Sequence, residues 1–373
     1  MGILSRLQVW EFRNLQQLDL PFGPGVTLLI GSNGQGKSNI LEAVCYLGLL
    51  RSFRAQGVAE LRRWGSPTFT VRGQVDAADA AQRLTLAVSQ SDKRLLQVNG
   101  SPVERASDFI NRFLCVPLVP EDLEMVKGPA AGRRRFLDVS ISQRWPHYLA
   151  ELQQYRAAVA SRNLVLRQPA AYPASVLDAY EQQMVRHGAR IEVVRRQYAA
   201  ELRGELTGLS ACLLGQDSEG FAVAYACPGV PKDSADAGEE TLAQVLLRAL
   251  QRNRDRDQRD GHTSTGPHRA DLSVSLAGKA LPAYGSEGEC RLACLALRLA
   301  ALAMARRGNS GNKAVVALVD DVLGELDPVR RRAFLEAVTR ADQVLITATE
   351  CPPELSGMAA AAYGVSKGQV APL

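Results

Sequence analysis

The stretch Val26-Thr27-Leu28-Leu29-Ile30-Gly31-Ser32-Asn33-Gly34-Gln35-Gly36-Lys37-Ser38-Asn39 decides the reading of this chain. A short, almost wholly apolar run ends in three glycines, a lysine and a serine at fixed offsets. The spacing Gly31-x4-Gly36-Lys37-Ser38 is the full phosphate-loop (P-loop) pattern. Its glycines let backbone N–H groups turn inward toward oxygens that a Cβ would exclude. A buried strand before the loop and a helix from about Lys37 to Leu50 complete the expected context, with the helix N-terminus facing the anion. Gly31, Ser32, Asn33, Gly34, Gln35, Gly36, Lys37, Ser38 and Asn39 are therefore the expected phosphate-binding residues. Lys37 is expected to meet the β- and γ-phosphates, and the Ser38 hydroxyl to ligate Mg2+.

Such a loop needs a carboxylate near the metal. Val315-Val316-Ala317-Leu318-Val319-Asp320-Asp321 supplies an apolar strand ending in two acids. Asp320 is expected to hold Mg2+, directly or through water, and Asp321 to polarise the attacking water. Gly324-Glu325-Leu326-Asp327 follows at once. A third piece, Ser286-Glu287-Gly288-Glu289, opens a helix and makes a second anion site. Ser286 and Gly288 become useful if a second copy presents them to the first copy's γ-phosphate.

The composition is that of a globular chain: 373 residues, 46% hydrophobic and 22% charged. No window approaches 18 uninterrupted apolar residues, so no membrane span is expected. The first residues, Met1 to Arg6, lack a charged region followed by an apolar core, so no secretory signal is expected. The seven cysteines contain no C-x-x-C and read as reduced, buried thiols, which points to the cytoplasm. Four histidines show no metal-ligand spacing, so no zinc site is expected. Net charge is +5 and only seven of the 44 basic residues are lysine. Arginine forks suit phosphate, so polyanion partners are permitted.

Along the chain, strands are expected over 4–12, 17–20, 26–31, 68–75, 83–90, 94–98 and 113–119. Long helices are expected over 130–167 and 176–207. In the second, Leu177, Tyr180, Met184, His187, Ile191, Val194, Tyr198 and Leu202 form an apolar seam. Arg186, Arg190, Arg195 and Arg196 lie off it. The two helices, joined across 168–173, read as an antiparallel hairpin. Residues 229–239 read as a loop and 252–264 as a charged, mobile connection. Beyond 286, helix 287–306, strand 314–319, helix 328–339 and strand 343–348 alternate, which argues for a parallel sheet. The expected domains are 1–120, an N-terminal ATPase lobe with the P-loop and a β-subdomain; 121–260, a helical arm; and 261–373, a C-terminal lobe carrying Ser286 and Asp320.

The order P-loop, S-x-G-x, D-D, G-E-L-D resembles that of the ABC-type ATPase superfamily. The closer resemblance is to the RecF family of recombination mediators. It rests on "FRNLQQLDLPFGPGVTLLIGSNGQGKSNILEAV" (12–44), "RSFR" (51–54), "VPEDLEMVKGP" (119–129), "RRRFLD" (133–138), "YRAAVASRNLVLR" (155–167), "TGPHRADL" (265–272), "DDVLGELDPVRR" (320–331) and "QVLITAT" (343–349). It spans nearly the whole chain and is weakest over 76–112 and 205–260. It implies an α/β fold: an ABC-type ATPase head with a mixed or parallel sheet, like that of SMC proteins, plus a helical domain with an antiparallel hairpin. It also implies a cytoplasmic DNA-repair protein that binds ATP and Mg2+, dimerises over two nucleotides and grips gapped DNA at single-strand/double-strand junctions. With RecO and RecR such a protein helps load RecA, and slow, DNA-stimulated hydrolysis resets the dimer.

By the same resemblance Asp327 is the acid of an interface loop. Thr349 stands where wider relatives keep a histidine, and Glu121 where they place a Q-loop. Two departures stand out. Glu289 replaces the usual signature glutamine, bringing negative charge near a phosphate unless the side chain turns away. Gly324 replaces a usual serine. Thr265-Gly266-Pro267-His268-Arg269 either faces nucleotide or DNA, or is a structural turn. Gly132-Arg133-Arg134-Arg135 either binds DNA or solvates a helix; Arg51 and Arg54 are open between nucleotide, DNA and neither. Aromatic residues make up 6% of the chain, which disfavours binding dominated by base stacking. The alternative function is the ATP-binding subunit of an ABC transporter. The 247 residues between Ser38 and Ser286, carrying a helical hairpin, argue against it. A small-molecule P-loop kinase ranks third, because it has no need of the S-x-G signature.

Overall fold

The computed structural model describes residues 2–77, 80–215, 219–231, 237–309 and 313–373. Part of the loop expected at 229–239 lies outside the described residues. The chain forms two compact units: Met1–Leu123 with Gly208–Ser218 and Arg291–Leu373, and Glu124–Thr207 with Glu219–Cys290.

The first unit holds two sheets. One is antiparallel, in the order Leu15–Pro21, Ile3–Phe12, Phe69–Asp76, Ala81–Val88, Arg94–Val98, Ser101–Pro102. The other has the order Gln369–Pro372, Ala359–Ser366, Gly25–Ile30, Gln343–Ala348, Val315–Val319, Leu114–Leu118. Its last five members are parallel and only the edge strand Gln369–Pro372 runs antiparallel, so the sheet is mixed. Val315–Val319 is buried at every position, as a parallel strand covered on both faces must be. Helix Lys37–Leu49 buries eleven of its thirteen residues. Two glycines permit its close approach: a Cβ on Gly73 would lie 2.4 Å from Leu47 Cδ2, and one on Gly48 2.9 Å from Phe113 Cζ.

Parallel strands bring all their carboxyl ends to one edge, where ligands of such sheets bind. Gln343–Ala348 lies between the P-loop strand and the strand that leads to the two acids. Ile346 pairs with Val319, so the next residue, Thr347, runs alongside Asp320. The strand ends at Gln369–Pro372 and Ala359–Ser366 were not expected from the sequence, where small residues blur the pattern.

The second unit combines helices Ala130–Arg144, Pro146–Arg167, Glu239–Arg252 and Arg254–Asp260 with most of Ala174–Leu214. The helix expected over 130–167 is broken at Trp145, because Pro146 lacks the N–H needed to continue it. Met184, Ile191, Tyr198 and Leu202 of the expected seam are buried. Arg195, expected off the seam, is buried too: it donates to Asp138 Oδ1 (2.7 Å), Tyr148 Oη (2.8 Å) and the Pro267 carbonyl (2.6 Å).

The stretch 252–264, expected as a mobile connection, contains helix Arg254–Asp260. Its Asp257 is fully buried and pairs with the equally buried Arg162 (2.8 Å), which also forks onto buried Glu181. Strand Asp271–Leu276 pairs along its length with Phe221–Ala226, and Arg133 forks onto Asp271 (2.7 and 3.0 Å). These contacts place residues 261–290 with the second unit, whereas the sequence suggested a boundary at 260.

Candidate nucleotide site

The loop after Ile30 has the backbone that its glycines predict. Gly34 and Gly36 have φ of 78° and 111°, which side-chain-bearing residues rarely adopt. A Cβ on Gly31 would sit 2.3 Å from the Val365 carbonyl oxygen, and one on Gly36 2.8 Å from Asn14 Oδ1. Lys37 is buried and folds back over the loop, donating from Nζ to the carbonyls of Gly31 (2.6 Å) and Ser32 (3.0 Å). Ser32, Asn33 and Gly34 are exposed. Asn39 donates to Asn14 Oδ1 (2.7 Å). Gln35 is used differently: its side-chain and backbone oxygens accept from the N–H groups of Lys367 and Gly368, both at 2.8 Å.

Ser38 and Asp320 meet as the pattern predicts. Ser38 Oγ donates to Asp320 Oδ1 at 2.8 Å. Thr347 Oγ1 donates to the same oxygen at 2.8 Å and accepts from the backbone N–H of Asp321 at 3.0 Å. The Asp320 side chain is fully buried, and its second oxygen, Oδ2, has no hydrogen-bond donor among the described residues. Arg54 Nη2 approaches that oxygen to 3.5 Å. Burial lifts the Asp320 carboxyl above its ordinary range; Ser38, Thr347 and Arg54 pull it back, and neighbouring Asp321 pushes it up. Asp321 itself is exposed and holds φ at 50°, a left-handed conformation that costs a non-glycine residue about 1–3 kcal/mol.

A buried carboxylate oxygen lacking a donor, beside a serine hydroxyl, is an all-oxygen set suited to a hard dication. The residues present fit Mg2+, with Ser38 and Asp320 able to hold it.

Ser286 and Gly288 lie in the second unit, and both are exposed. Ser286 donates from its backbone N (2.7 Å) and Oγ (2.8 Å) to Glu289 Oε2, and Glu289 N donates to Ser286 Oγ (3.3 Å). This is a capping box at the start of helix Glu287–Arg307. The unusual acid therefore turns back onto the signature serine, and those hydrogen bonds hold its carboxyl below the ordinary range. Asp327 caps helix Pro328–Val338, accepting from Val329 N (3.1 Å) and Arg330 N (2.9 Å).

The two-sided motifs find hydrogen-bond partners within the chain. Arg133 is buried on Asp271, and Arg134 donates to the Ala270 carbonyl at 2.8 Å. Only Arg135 of that cluster is exposed. Thr265–Arg269 forms a turn: Gly266 has φ of 118° and His268 is held between Tyr155 Oη (2.8 Å) and the Thr263 carbonyl (3.1 Å). Arg54 donates to Glu121 Oε1 at 2.9 Å, which joins two of the undecided residues. Thr349 is exposed.

Sequence reasoning missed Thr347, Asn14 and Glu42. Glu42 is fully buried and receives the Arg13 fork, two bonds of 2.8 Å. The available signals were a lone hydroxyl inside Val344-Leu345-Ile346-Thr347-Ala348 and an acid on the apolar face of the P-loop helix.

The RecF/RecN/SMC N terminal domain model matches residues 3–370. The DNA replication and repair protein RecF of Anaeromyxobacter sp. (strain Fw109-5) is 36% identical over 377 residues, covering 100% of both chains. The chain belongs to the RecF family. The RecF of Symbiobacterium thermophilum is 36% identical over 347 residues, 93% of this chain and 91% of that one. A solved RecF, described as the recombination mediator RecF-ATP in the RecFOR pathway, superposes with a TM-score of 0.90 at 29% identity, covering 100% of this chain and 98% of that one. An Smc head domain from Pyrococcus furiosus shares the fold at 16% identity, with a TM-score of 0.56. RecF relatives of full length do not favour the transporter alternative. No helix among the described residues is long and apolar enough to cross a membrane.

Proposed function

We propose that this protein is an ATP-dependent DNA-binding component of recombinational repair in the cytoplasm. It binds ATP and Mg2+, dimerises on ATP, engages gapped DNA at single-strand/double-strand junctions and acts with RecO and RecR to load RecA. The observation that carries the reading is the 2.8 Å contact from Ser38 Oγ to Asp320 Oδ1, across 282 positions of sequence. The RecF relatives and the RecF-ATP superposition support its biological setting.

Bound ATP and Mg2+ supply the phosphoanhydride and the charge that balances it. The chain does the rest. Lys37 leaves the carbonyls of Gly31 and Ser32 and meets the β- and γ-phosphates, while loop N–H groups face the same oxygens. Ser38 and Asp320 would hold the metal, and Thr347 keeps the Asp320 carboxylate oriented. Asp321, exposed beside them, accepts a proton from the attacking water. Ser286 and Gly288 of a second copy cap the γ-phosphate, which closes the dimer. Hydrolysis is slow, DNA-stimulated and acts as a release switch. DNA is held mainly through phosphate, so affinity falls steeply with salt.

Sedimentation with ATP, ADP and no nucleotide, alongside titration of a gapped duplex, tests the proposal. A dimer and tighter DNA binding with ATP alone are expected. Indifference of both to nucleotide ends it.

A further inference from the structure

The Asp320 carboxylate is the least comfortable group in the site. It is fully buried, Oδ1 accepts from Ser38 and Thr347, and Oδ2 has no donor. A buried charge needs a counterion. The cation that reaches it is Arg54, whose Nη2 stands 3.5 Å from Oδ2 while its Nε donates to Glu121 Oε1 at 2.9 Å. One guanidinium thus spans two carboxylates that come from the ends of two different strands.

Arg54 is not a drifting surface side chain. Ser52 Oγ accepts from the backbone N–H of Arg54 (2.8 Å) and of Ala55 (2.7 Å), and donates to Glu42 Oε1. Glu42 is fully buried on the P-loop helix and is gripped by the Arg13 fork. The backbone that carries Arg54 is therefore tied to the helix that starts the phosphate site.

We propose that Arg54 is a placeholder cation: its guanidinium neutralises the metal-holding carboxylate in the nucleotide-free protein and competes with the divalent ion for Asp320. The inference rests on Asp320 being the metal ligand. A guanidinium 3.5 Å from Oδ2 and a dication on the same carboxylate repel each other, so the side chain must leave Asp320 when the metal arrives. The Ser52 anchor keeps it within reach of the phosphates as it leaves. Arg54 then sets how strongly nucleotide binding depends on metal. Without metal it lends positive charge to the triphosphate; with metal its displacement opposes binding.

The test titrates the full, nucleotide-free chain with Mn2+ by electron paramagnetic resonance in wild type, R54Q, R54K and D320N. A second arm measures affinity for a fluorescent ATP analogue in EDTA and in Mg2+. R54Q is expected to bind Mn2+ on the order of tenfold tighter, the scale on which one neighbouring like charge acts. R54K is expected to fall between R54Q and wild type. The ratio of analogue affinity in Mg2+ to that in EDTA is expected to rise in R54Q. Unchanged Mn2+ affinity in R54Q, with D320N abolishing it, overturns the placeholder role alone. Equal loss of analogue affinity in both arms likewise reduces Arg54 to an ordinary phosphate contact. D320N binding Mn2+ as wild type does would instead remove the metal-site reading beneath it.

Discussion

Thr347 Oγ1 donates to Asp320 Oδ1 at 2.8 Å, from the strand that lies between the P-loop strand and the strand leading to the two acids. Thr347 Oγ1 also accepts from the backbone N–H of Asp321 at 3.0 Å. One buried hydroxyl thus orients the acid assigned to the metal and fixes the backbone of the acid assigned to water.

Thr347→Val keeps the shape and removes both bonds. It should cost about 1–3 kcal/mol of stability, because it leaves the Asp321 N–H and the buried Asp320 carboxylate without their partner. Chemical denaturation measures this. Hydrolysis should fall more than ATP affinity, and Thr347→Ser should restore both. Equal activity in Thr347→Val would show that Asp320 needs no such guide.

Lys37→Met should abolish ATP binding while leaving the nucleotide-free fold near wild type. Charged hydrogen bonds contribute about 1.5–3 kcal/mol each, and those that Lys37 makes to the β- and γ-phosphates are lost. Isothermal titration reads the affinity and circular dichroism the fold.

Asp321→Asn should bind ATP with little change and stall in the dimer. Loss of a positioned base slows proton transfer by about 10²–10⁴-fold. Single-turnover hydrolysis with parallel sedimentation checks it. A monomeric Asp321→Asn with ATP would contradict the assigned role.

Ser286→Arg should bind ATP as a monomer, since bulk and charge block the signature. Glu289→Gln keeps a side chain able to accept from Ser286 but removes the charge. It should tighten ATP-dependent dimerisation several-fold, the effect expected when one like charge is taken from beside a phosphate. Sedimentation at graded protein concentration measures both, and a fully dimeric Ser286→Arg would remove the argument for capping in trans.

His268 makes the stability depend on pH. Burial, chiefly, pushes its imidazole down to about 4, and the guanidiniums of Arg269, Arg134 and Arg162 push the same way; the Thr263 carbonyl opposes them. The neutral ring donates from Nε2 to Thr263 and accepts at Nδ1 from Tyr155 Oη. A folded value below the unfolded value of about 6.5 means the unfolded chain takes the proton first. The stability His268 contributes is present above pH 6.5 and is lost as pH falls toward 4, by about 3 kcal/mol at most. Urea midpoints across that range, compared with His268→Gln, should show a shallower acid limb in the variant.

The P-loop, the two acids and the S-x-G signature were legible in the sequence because each is a local pattern with its own chemistry. Gly34 and Gly36 stand where φ turns positive, and Asp320 follows a strand buried at every residue. The parallel sheet was legible for the same reason, since strands and helices alternate after residue 286. Thr347 was not legible: a threonine inside an apolar strand looks like core until register sets it beside Asp320. Nor was Arg195, because helical periodicity assigns a charge to the outside and cannot foresee the Asp138 carboxylate and Tyr148 hydroxyl that make burial tolerable. The charged run 252–264 misled in the same way, since Asp257 finds Arg162 95 positions away. Local sequence determined the turn of the glycine loop and the place of the two acids after their strand. Tertiary structure decided which carboxylate would be desolvated and which arginine would answer it, because pairing of buried charge depends on distance in space and not along the chain.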